Sequence, residues 1–138
     1  MVLISVKNFT MSNFKYIPSK GDLIWLDFNP QAGRETEDSA SKLKGNKNPS
    51  QIMKRSPALV LSPQEYNKHG LMLAVPITSK AKGYPFEVKI ENDKIGGVAL
   101  ADAIKSLDWK ERNAEFAGTA SKEELLEVLK LLSVLLKV

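Results

Sequence analysis

The chain has 138 residues, with 20 Lys and Arg against 16 Asp and Glu, which gives a formal charge of +4 at pH 7. This length predicts one domain with a real core, and the mild positive excess favours a polyanionic or acidic partner without identifying one. The absence of cysteine and the single histidine, His69, exclude disulfides, thiolate metal sites and any site that needs two histidines in one chain.

The chain shows no apolar run near the roughly 18 residues of a membrane span. Its apolar start is interrupted by Lys7 and Asn8, and no small-residue cleavage site follows, so we expect no signal peptide. Because cysteine is absent, a reducing compartment is indicated, and we expect a cytoplasmic protein without membrane contact. We interpret residues 1–15 as a flexible extension, in which Met11 is an alternative start, and residues 16–138 as a single domain.

A compact β-prone run from Leu23 to Phe28 predicts the first strand, which Asn29 and Pro30 end. The following residues, 31–54, are polar and show no apolar period. A loop this long in a compact domain is usually a functional lid or a disordered insert. The segment is therefore either a solvated run of charges or a flap over a substrate groove.

Further short β-prone runs follow, each bounded by turn residues. They are Pro57–Ser62, Leu71–Ile77, Tyr84–Ile90, Val98–Ala101 and Glu115–Thr119. Pro76 predicts that the third strand is bulged at its end or lies at a sheet edge. We interpret residues 63–70 as a polar connection and residues 106–113, which include Trp109, as a turn or short helix.

The last segment is the clearest element. Ser121 and Glu124 form a capping-box pattern, and an apolar stripe with helical spacing follows. Because apolar residues cover more than half of the helix circumference, we expect both its own domain and a second copy of the chain to cover it. Several short strands around one helix predict a mainly β fold, a small SH3-like barrel with helical additions and a C-terminal amphipathic helix.

The sequence resembles the MazF/PemK (ChpA-like) toxin family of type II toxin–antitoxin systems. Seven blocks carry the resemblance in the family's order: Tyr16–Pro18, Gly21–Trp25, Asp27–Pro30, Pro57–Pro63, Val75–Thr78, Lys82–Val88 and Gly97–Asp102. Any one block is weak, but the ordered set is specific and extends to the C-terminal helix.

The resemblance implies a plug-like SH3-type barrel, a homodimer, and a metal-independent, sequence-selective endoribonuclease that cleaves single-stranded RNA, usually mRNA. It also implies a cognate MazE/PemI-like antitoxin that occupies the RNA groove and gives the toxin its indirect link to DNA. No cofactor and no metal are expected.

The resemblance also implies site residues. Glu35, Thr78 and Asp102 match family positions, whereas the family arginine before the Pro-Ala-Leu-Val-Leu strand is replaced by Ser56, with Arg55 one residue earlier. In this interpretation Glu35 takes the proton of the ribose 2′-OH, Arg55 stabilises the phosphorane charge and Thr78 donates to a phosphate oxygen. The RNA contacts are expected at Lys54, Ser56, Ser79, Lys80, Lys82 and Tyr84.

The displaced arginine leaves two hypotheses. In an extended chain a shift of one residue turns a side chain to the opposite face. Either the long loop bulges and returns Arg55 to the site, which we expect, or Ser56 lies there and cleavage is weak or lost. The second case would leave a non-catalytic barrel that binds RNA or antitoxin.

Overall fold

The computed structural model describes residues 16–27 and 54–138. The predicted extension at residues 1–15, Phe28 at the end of the first predicted strand, Glu35 and the predicted flap up to residue 53 lie outside the described residues.

Seven strands and two helices make up the described part of the chain. The strands are β1 (Asp22–Asp27), β2 (Arg55–Val60), β3 (Leu71–Thr78), β4 (Glu87–Ile90), β5 (Gly97–Leu100), β6 (Lys105–Asp108) and β7 (Glu115–Thr119). The helices are α1 (Gln64–Asn67), between β2 and β3, and α2 (Lys122–Leu136), after β7. All strand pairs are antiparallel, in the order β4-β5-β3-β2-β1-β7, and β6 pairs with β3 beside this path.

The strand β3 organises this curled sheet because it contacts three other strands. One edge pairs with β2, from Ala74 to Pro76. The other edge pairs first with β6, through Leu71–Ala74, and then with β5, through Ile77 and Thr78. The sheet therefore turns from one partner to the next along β3 and closes into a half-barrel.

Alternation along the strands creates two apolar clusters, one on each face of the sheet. The first contains Leu23, Leu59 and Val75 and is covered by Val128 and Leu132 of α2. The second contains Ile24, Ala58 and Met72 and is covered by Trp109, with Tyr16 and Ile17 packed against it.

The helix α2 begins with the predicted capping box. The Ser121 hydroxyl accepts from the Glu124 N–H at 3.0 Å, and the Glu124 carboxylate accepts from the Ser121 N–H at 2.9 Å. One face of α2 packs on the sheet, while Leu126, Val134 and Leu136 remain exposed. This exposed face is the surface that the sequence assigns to a second copy of the chain.

The predicted mainly β fold with a C-terminal helix is confirmed. Three local predictions hold only in part. The predicted turn covers residues 109–113, but residues 106–108 belong to β6, a polar edge sequence that gains its structure by pairing with β3. The connection 63–70 contains α1, and Tyr84–Phe86 forms a turn before β4, closed by the Glu87 N–H on the Tyr84 carbonyl at 3.1 Å. No helix in residues 16–27 and 54–138 is long and apolar enough to cross a membrane.

Gly97 permits the contact between β5 and the end of β3. Its φ is +135°, and a Cβ at this position would lie 2.3 Å from the Thr78 carbonyl oxygen. No heavy-atom contact is possible at that distance, and the backbone conformation itself disfavours a side chain. A Cβ at the adjacent Gly96 would have its nearest neighbour, the Ile90 carbonyl oxygen, at 4.0 Å.

We therefore predict that Gly97→Ala lowers the free energy of unfolding by more than about 1 kcal/mol, because the backbone of Thr78 or β5 must move. Chemical denaturation measures this loss. Gly96→Ala is the matched control and should stay within about 0.5 kcal/mol of the parent. Equal stability of the two variants would contradict the prediction.

Candidate functional site

The strands β2 and β3 separate at the end of the sheet that holds the predicted site residues. The Leu61 N–H donates to the Leu73 carbonyl at 2.8 Å, so odd-numbered residues of β2 direct their backbone groups to β3. The next odd position before Leu59 is Pro57, which has no N–H to donate. Pairing between β2 and β3 accordingly ends at Ala58 and Pro76.

Beyond that point the chain places Ser56 and Thr78 on one face. Ser56 lies two residues before Ala58, and Thr78 lies two residues after Pro76, so strand alternation turns both hydroxyls to the side of that pair. Continuing the register by two residues brings Ser56 level with Thr78. Both residues are half-buried, so their face is reachable from solvent at this end of the sheet.

Arg55 lies on the opposite face. The pairing of β1 with β2 runs without interruption from Leu23 and Leu59 to Asp27 and Arg55. The expected bulge is therefore absent from the described part of β2, and the expectation that it returns Arg55 to the site is wrong. The regular register places Arg55 beside Asp27, with Ser56 turned away from both.

Arg55 forms a network that joins three parts of the chain. Its Nη1 donates to Asp27 Oδ1. Its Nη2 donates to the carboxylate of Glu115 at 3.2 Å and to the carbonyls of Asn113, at 3.1 Å, and Trp25, at 3.2 Å. The Asn113 amide donates to the other oxygen of Asp27 at 2.7 Å. The Asp27 side chain is only 8% exposed, so Arg55 compensates a carboxylate that is largely removed from water.

A cationic loop follows Thr78. The Thr78 hydroxyl accepts from the Lys80 N–H at 3.2 Å, and Ser79, Lys80 and Lys82 are exposed. The carboxylate of Glu87 accepts from the N–H groups of Lys82, at 2.9 Å, and Gly83, at 3.1 Å. These two bonds fix the far end of the loop on β4, so its lysines extend from an anchored backbone.

Tyr84 and Asp102 contact each other beyond the end of β5 and before the start of β4. The Tyr84 hydroxyl donates to Asp102 Oδ2 at 2.7 Å, and its ring contacts Phe86 with 5.7 Å between centroids. The hydrogen bond to Asp102 raises the pKa of Tyr84 above its ordinary value, so the phenol is protonated at neutral pH. Because Tyr84 is 46% exposed, its ring offers a surface on which a base can stack.

The predicted residues thus fall into two groups. Sequence alternation and contacts place Ser56, Thr78 and the 79–82 loop toward one end of the sheet, with Tyr84 and Asp102 bonded to each other, and Lys54 is exposed at the start of β2. Arg55 belongs to the opposite face, and Glu35 lies outside the described residues. Within the described ranges no group of three His, Asp or Glu side chains could hold a metal ion.

Sequence reasoning missed the partners that hold these groups in place. Asp27 and Glu115 bind Arg55, and Glu87 binds the cationic loop. The sequence offered one sign of Asp27, a carboxylate that directly follows the apolar run Leu23–Leu26. Glu115 gave none, because its contact with Arg55 joins positions 60 residues apart.

Comparison with known proteins places these features in a family context. A family model described as "PemK-like, MazF-like toxin of type II toxin-antitoxin system" matches residues 19–136. The chain is 42% identical over 123 residues to the endoribonuclease toxin MazF of Escherichia coli K12, covering 88% of this chain and 96% of that protein.

Solved structures agree. The MazF crystal structure (Form-I) from Deinococcus radiodurans superposes with a TM-score of 0.69 at 44% identity, covering 90% of this chain and 100% of that one. The MazE–MazF complex (Form-II) from the same organism gives a TM-score of 0.68 at 42% identity, covering 88% of this chain and 97% of that one.

The Arg55 network predicts that Arg55→Ala destabilises the fold. Removing the guanidinium leaves the Asp27 carboxylate largely buried with one fewer donor, at a cost of about 1–3 kcal/mol. Chemical denaturation measures the loss. The matched control is Lys54→Ala, which removes the exposed cation directly before Arg55 and should change the free energy of unfolding by less than about 0.5 kcal/mol. If Arg55→Ala unfolds at the parental denaturant concentration, the network has no structural role.

Proposed function

The chain belongs to the PemK/MazF toxin family of type II toxin–antitoxin systems, and we propose that it is an endoribonuclease toxin that cleaves single-stranded RNA. Its target is mRNA, cut at selected sequences, so that translation and growth stop. The observation that carries this proposal is the 42% identity to an endoribonuclease toxin across 96% of that protein, with the fold retained over the same span.

The reaction we propose needs no metal ion. The ribose 2′-OH attacks the adjacent phosphorus, the 5′ oxygen leaves, and the products are a 2′,3′-cyclic phosphate and a 5′-OH. Such a step requires a base at the 2′-OH, donors or cations at the phosphorane oxygens and an acid at the leaving oxygen. DNA lacks the 2′-OH, so the mechanism itself selects RNA.

The face that holds Ser56 and Thr78 supplies donors of this kind. Thr78 is the candidate donor to a non-bridging phosphate oxygen, and Ser56, level with it, is a second hydroxyl for the same phosphate. Lys80 and Lys82 of the anchored loop supply positive charge for the RNA backbone. Glu35 stays the sequence-based candidate for the base.

This assignment changes the role of two charged residues. Arg55 is tied to Asp27 and Glu115 on the opposite face, so we propose that it supports the site through β1 and β2 rather than through the phosphate. Asp102 holds the hydroxyl of Tyr84, so we propose that it orients the ring that stacks on a base.

The family also supplies the partners. We propose a homodimer in the cytoplasm that a cognate MazE/PemI-like antitoxin neutralises, with contact to DNA only through that antitoxin. The exposed apolar side chains of α2, Leu126, Val134 and Leu136, support the homodimer, and the net charge of +4 suits an acidic antitoxin segment.

We expect the purified protein to cut a mixed-sequence single-stranded RNA in the presence of EDTA. The mechanism predicts 2′,3′-cyclic phosphate and 5′-OH ends, which end-specific ligation and mass spectrometry identify. A substrate with 2′-deoxyribose at the cut position should stay intact. Intact RNA that is still bound would instead establish a non-catalytic RNA-binding barrel, and cleavage that EDTA abolishes would refute the metal-free mechanism.

The site geometry predicts opposite effects for two variants on one face. Thr78→Val removes the hydroxyl at nearly constant volume and should lower kcat by about tenfold or more, as loss of one transition-state donor does. Ser56→Arg places a guanidinium, which can bind a phosphate through two hydrogen bonds, level with Thr78 and should raise the cleavage rate. Both are compared with the parent by single-turnover cleavage, after denaturation confirms folding. Parental rates for both variants would show that this face does not carry the reaction.

A further inference from the structure

A cleft of about 460 Å³ opens beside Trp109, outside the cluster around Thr78. Its lining combines two aromatic residues, Tyr16 and Trp109, with two lysines, Lys68 and Lys110. None of the described residues that line it carries a carboxylate. Its volume lies in the range typical of small-ligand sites, and its chemistry joins flat apolar surface to positive charge.

The aromatic walls are held in place. The Trp109 indole N–H donates to the Asn67 carbonyl at 2.7 Å, in the buried interior. The Tyr16 hydroxyl donates to Asp22, and its ring meets Phe116 edge-on at 5.9 Å between centroids. Burial raises the pKa of Tyr16, so the hydroxyl keeps its proton and the hydrogen bond. Binding in the cleft therefore costs little side-chain entropy, because the two aromatic rings are already fixed.

The two lysines are available to a ligand. Both are exposed, and neither forms an ion pair with a carboxylate among the described residues. The Lys110 ammonium lies 5.6 Å from the centre of the Trp109 ring, so it supplies positive charge directly beside an aromatic surface. Lys68 lies at the end of α1 and lines the same cleft.

The cleft lies on the same side of the sheet as the hydroxyls of Ser56 and Thr78. Trp109 covers the cluster that contains Met72 and Ala74, and alternation along β3 places Thr78 on that side too. From Met72 to Thr78 the strand advances about 20 Å, at about 3.3 Å per residue. Lys105, paired with Ala74 and exposed, lies between the two ends.

We propose that this cleft binds one nucleotide of the single-stranded RNA that flanks the cleaved bond. The base lies against the half-buried Tyr16 ring and the small accessible part of Trp109, which is 6% exposed, and Lys68 and Lys110 contact the adjacent phosphate. The inference rests on the proposed ribonuclease function and adds a second contact point for the same strand. RNA fits better than an acidic peptide, because a peptide carboxylate would use only the lysines, whereas a nucleotide also brings a flat base to the Tyr16 ring.

The test uses a mixed-sequence 12-nucleotide RNA that is 2′-O-methylated throughout, which blocks the 2′ nucleophile and separates binding from cleavage. The double variant Lys68→Glu/Lys110→Glu should weaken binding by about tenfold or more. It should also reduce the magnitude of the slope of log K against log salt by about 0.7, for the loss of one neutralised phosphate. The control Lys94→Glu/Lys122→Glu has the same charge change away from the cleft and should bind within about threefold of the parent, as expected for loss of long-range attraction alone.

Fluorescence adds a local readout. In a Trp25→Phe background Trp109 is the one remaining tryptophan. Its emission should change when the methylated RNA binds, since a nucleotide in the cleft displaces water and alters the position of Lys110 beside the indole. A hexaglutamate peptide serves as the competing probe.

The outcomes separate the cleft from the proposed activity. Equal affinities of the cleft and control variants, with natural RNA still cut by the parent, would overturn the cleft and leave the ribonuclease function standing. If the Lys68→Glu/Lys110→Glu variant lost hexaglutamate binding but kept the parental affinity for RNA, the cleft would be a site for an acidic peptide and not for RNA. A parent that neither binds the methylated RNA nor cuts natural RNA would remove both proposals.

Discussion

The molecule depends on how one strand, β3, divides its two edges among three neighbours. Two prolines mark the divisions. Pro57 removes the N–H that would extend the β2 pairing toward Ile77, so β2 and β3 stop pairing at Ala58 and Pro76. On the other edge Pro76 lies between the residues that pair with β6 and those that pair with β5, where no ladder hydrogen bond is needed. Pro76 was expected at a bulge or a sheet edge. It lies in a central strand instead, at the gap between two partners.

The two faces of the sheet at this end have different roles, one in stabilising the fold and one in the proposed site. Ion pairs join Arg55 to Asp27 of β1 and Glu115 of β7. The hydroxyls of Ser56 and Thr78 lie on the other face, where the open strand ends leave room for a ligand. The buried Asp27 carboxylate needs a compensating cation, which constrains residue 55 to be basic. Ser56 is turned away from Asp27, so residue 56 is not constrained in this way. The chemistry of residue 56 can therefore change without loss of the β1–β2 connection.

The accuracy of sequence-based prediction followed the sequence distance between interacting residues. The capping box of α2 and the apolar alternation of the core strands depend on neighbours one to four positions apart, and both were predicted. The strand β6 was missed because its residues, Lys105–Asp108, are polar and gain their structure from β3, more than 30 positions earlier. The orientation of Arg55 depends on its register with β1 and on Glu115, 60 residues later, and no local pattern contains that information. The anchoring of the cationic loop by Glu87 is shorter in range, but a single glutamate in an alternating strand does not distinguish a loop anchor from a solvated residue.

The position of β7 and α2 in the chain has a consequence for synthesis on the ribosome. The first strand, β1, lies between β2 and β7, and the Ala120 N–H donates to the Gly21 carbonyl at 2.9 Å. Val128 and Leu132 cover the cluster that contains Leu23. A nascent chain that ends before residue 115 thus has β1 with one edge unpaired and one apolar face uncovered, and it cannot close the half-barrel. Folding waits for the segment 115–136 to leave the exit tunnel, so a shorter nascent chain cannot form the site and exert its activity.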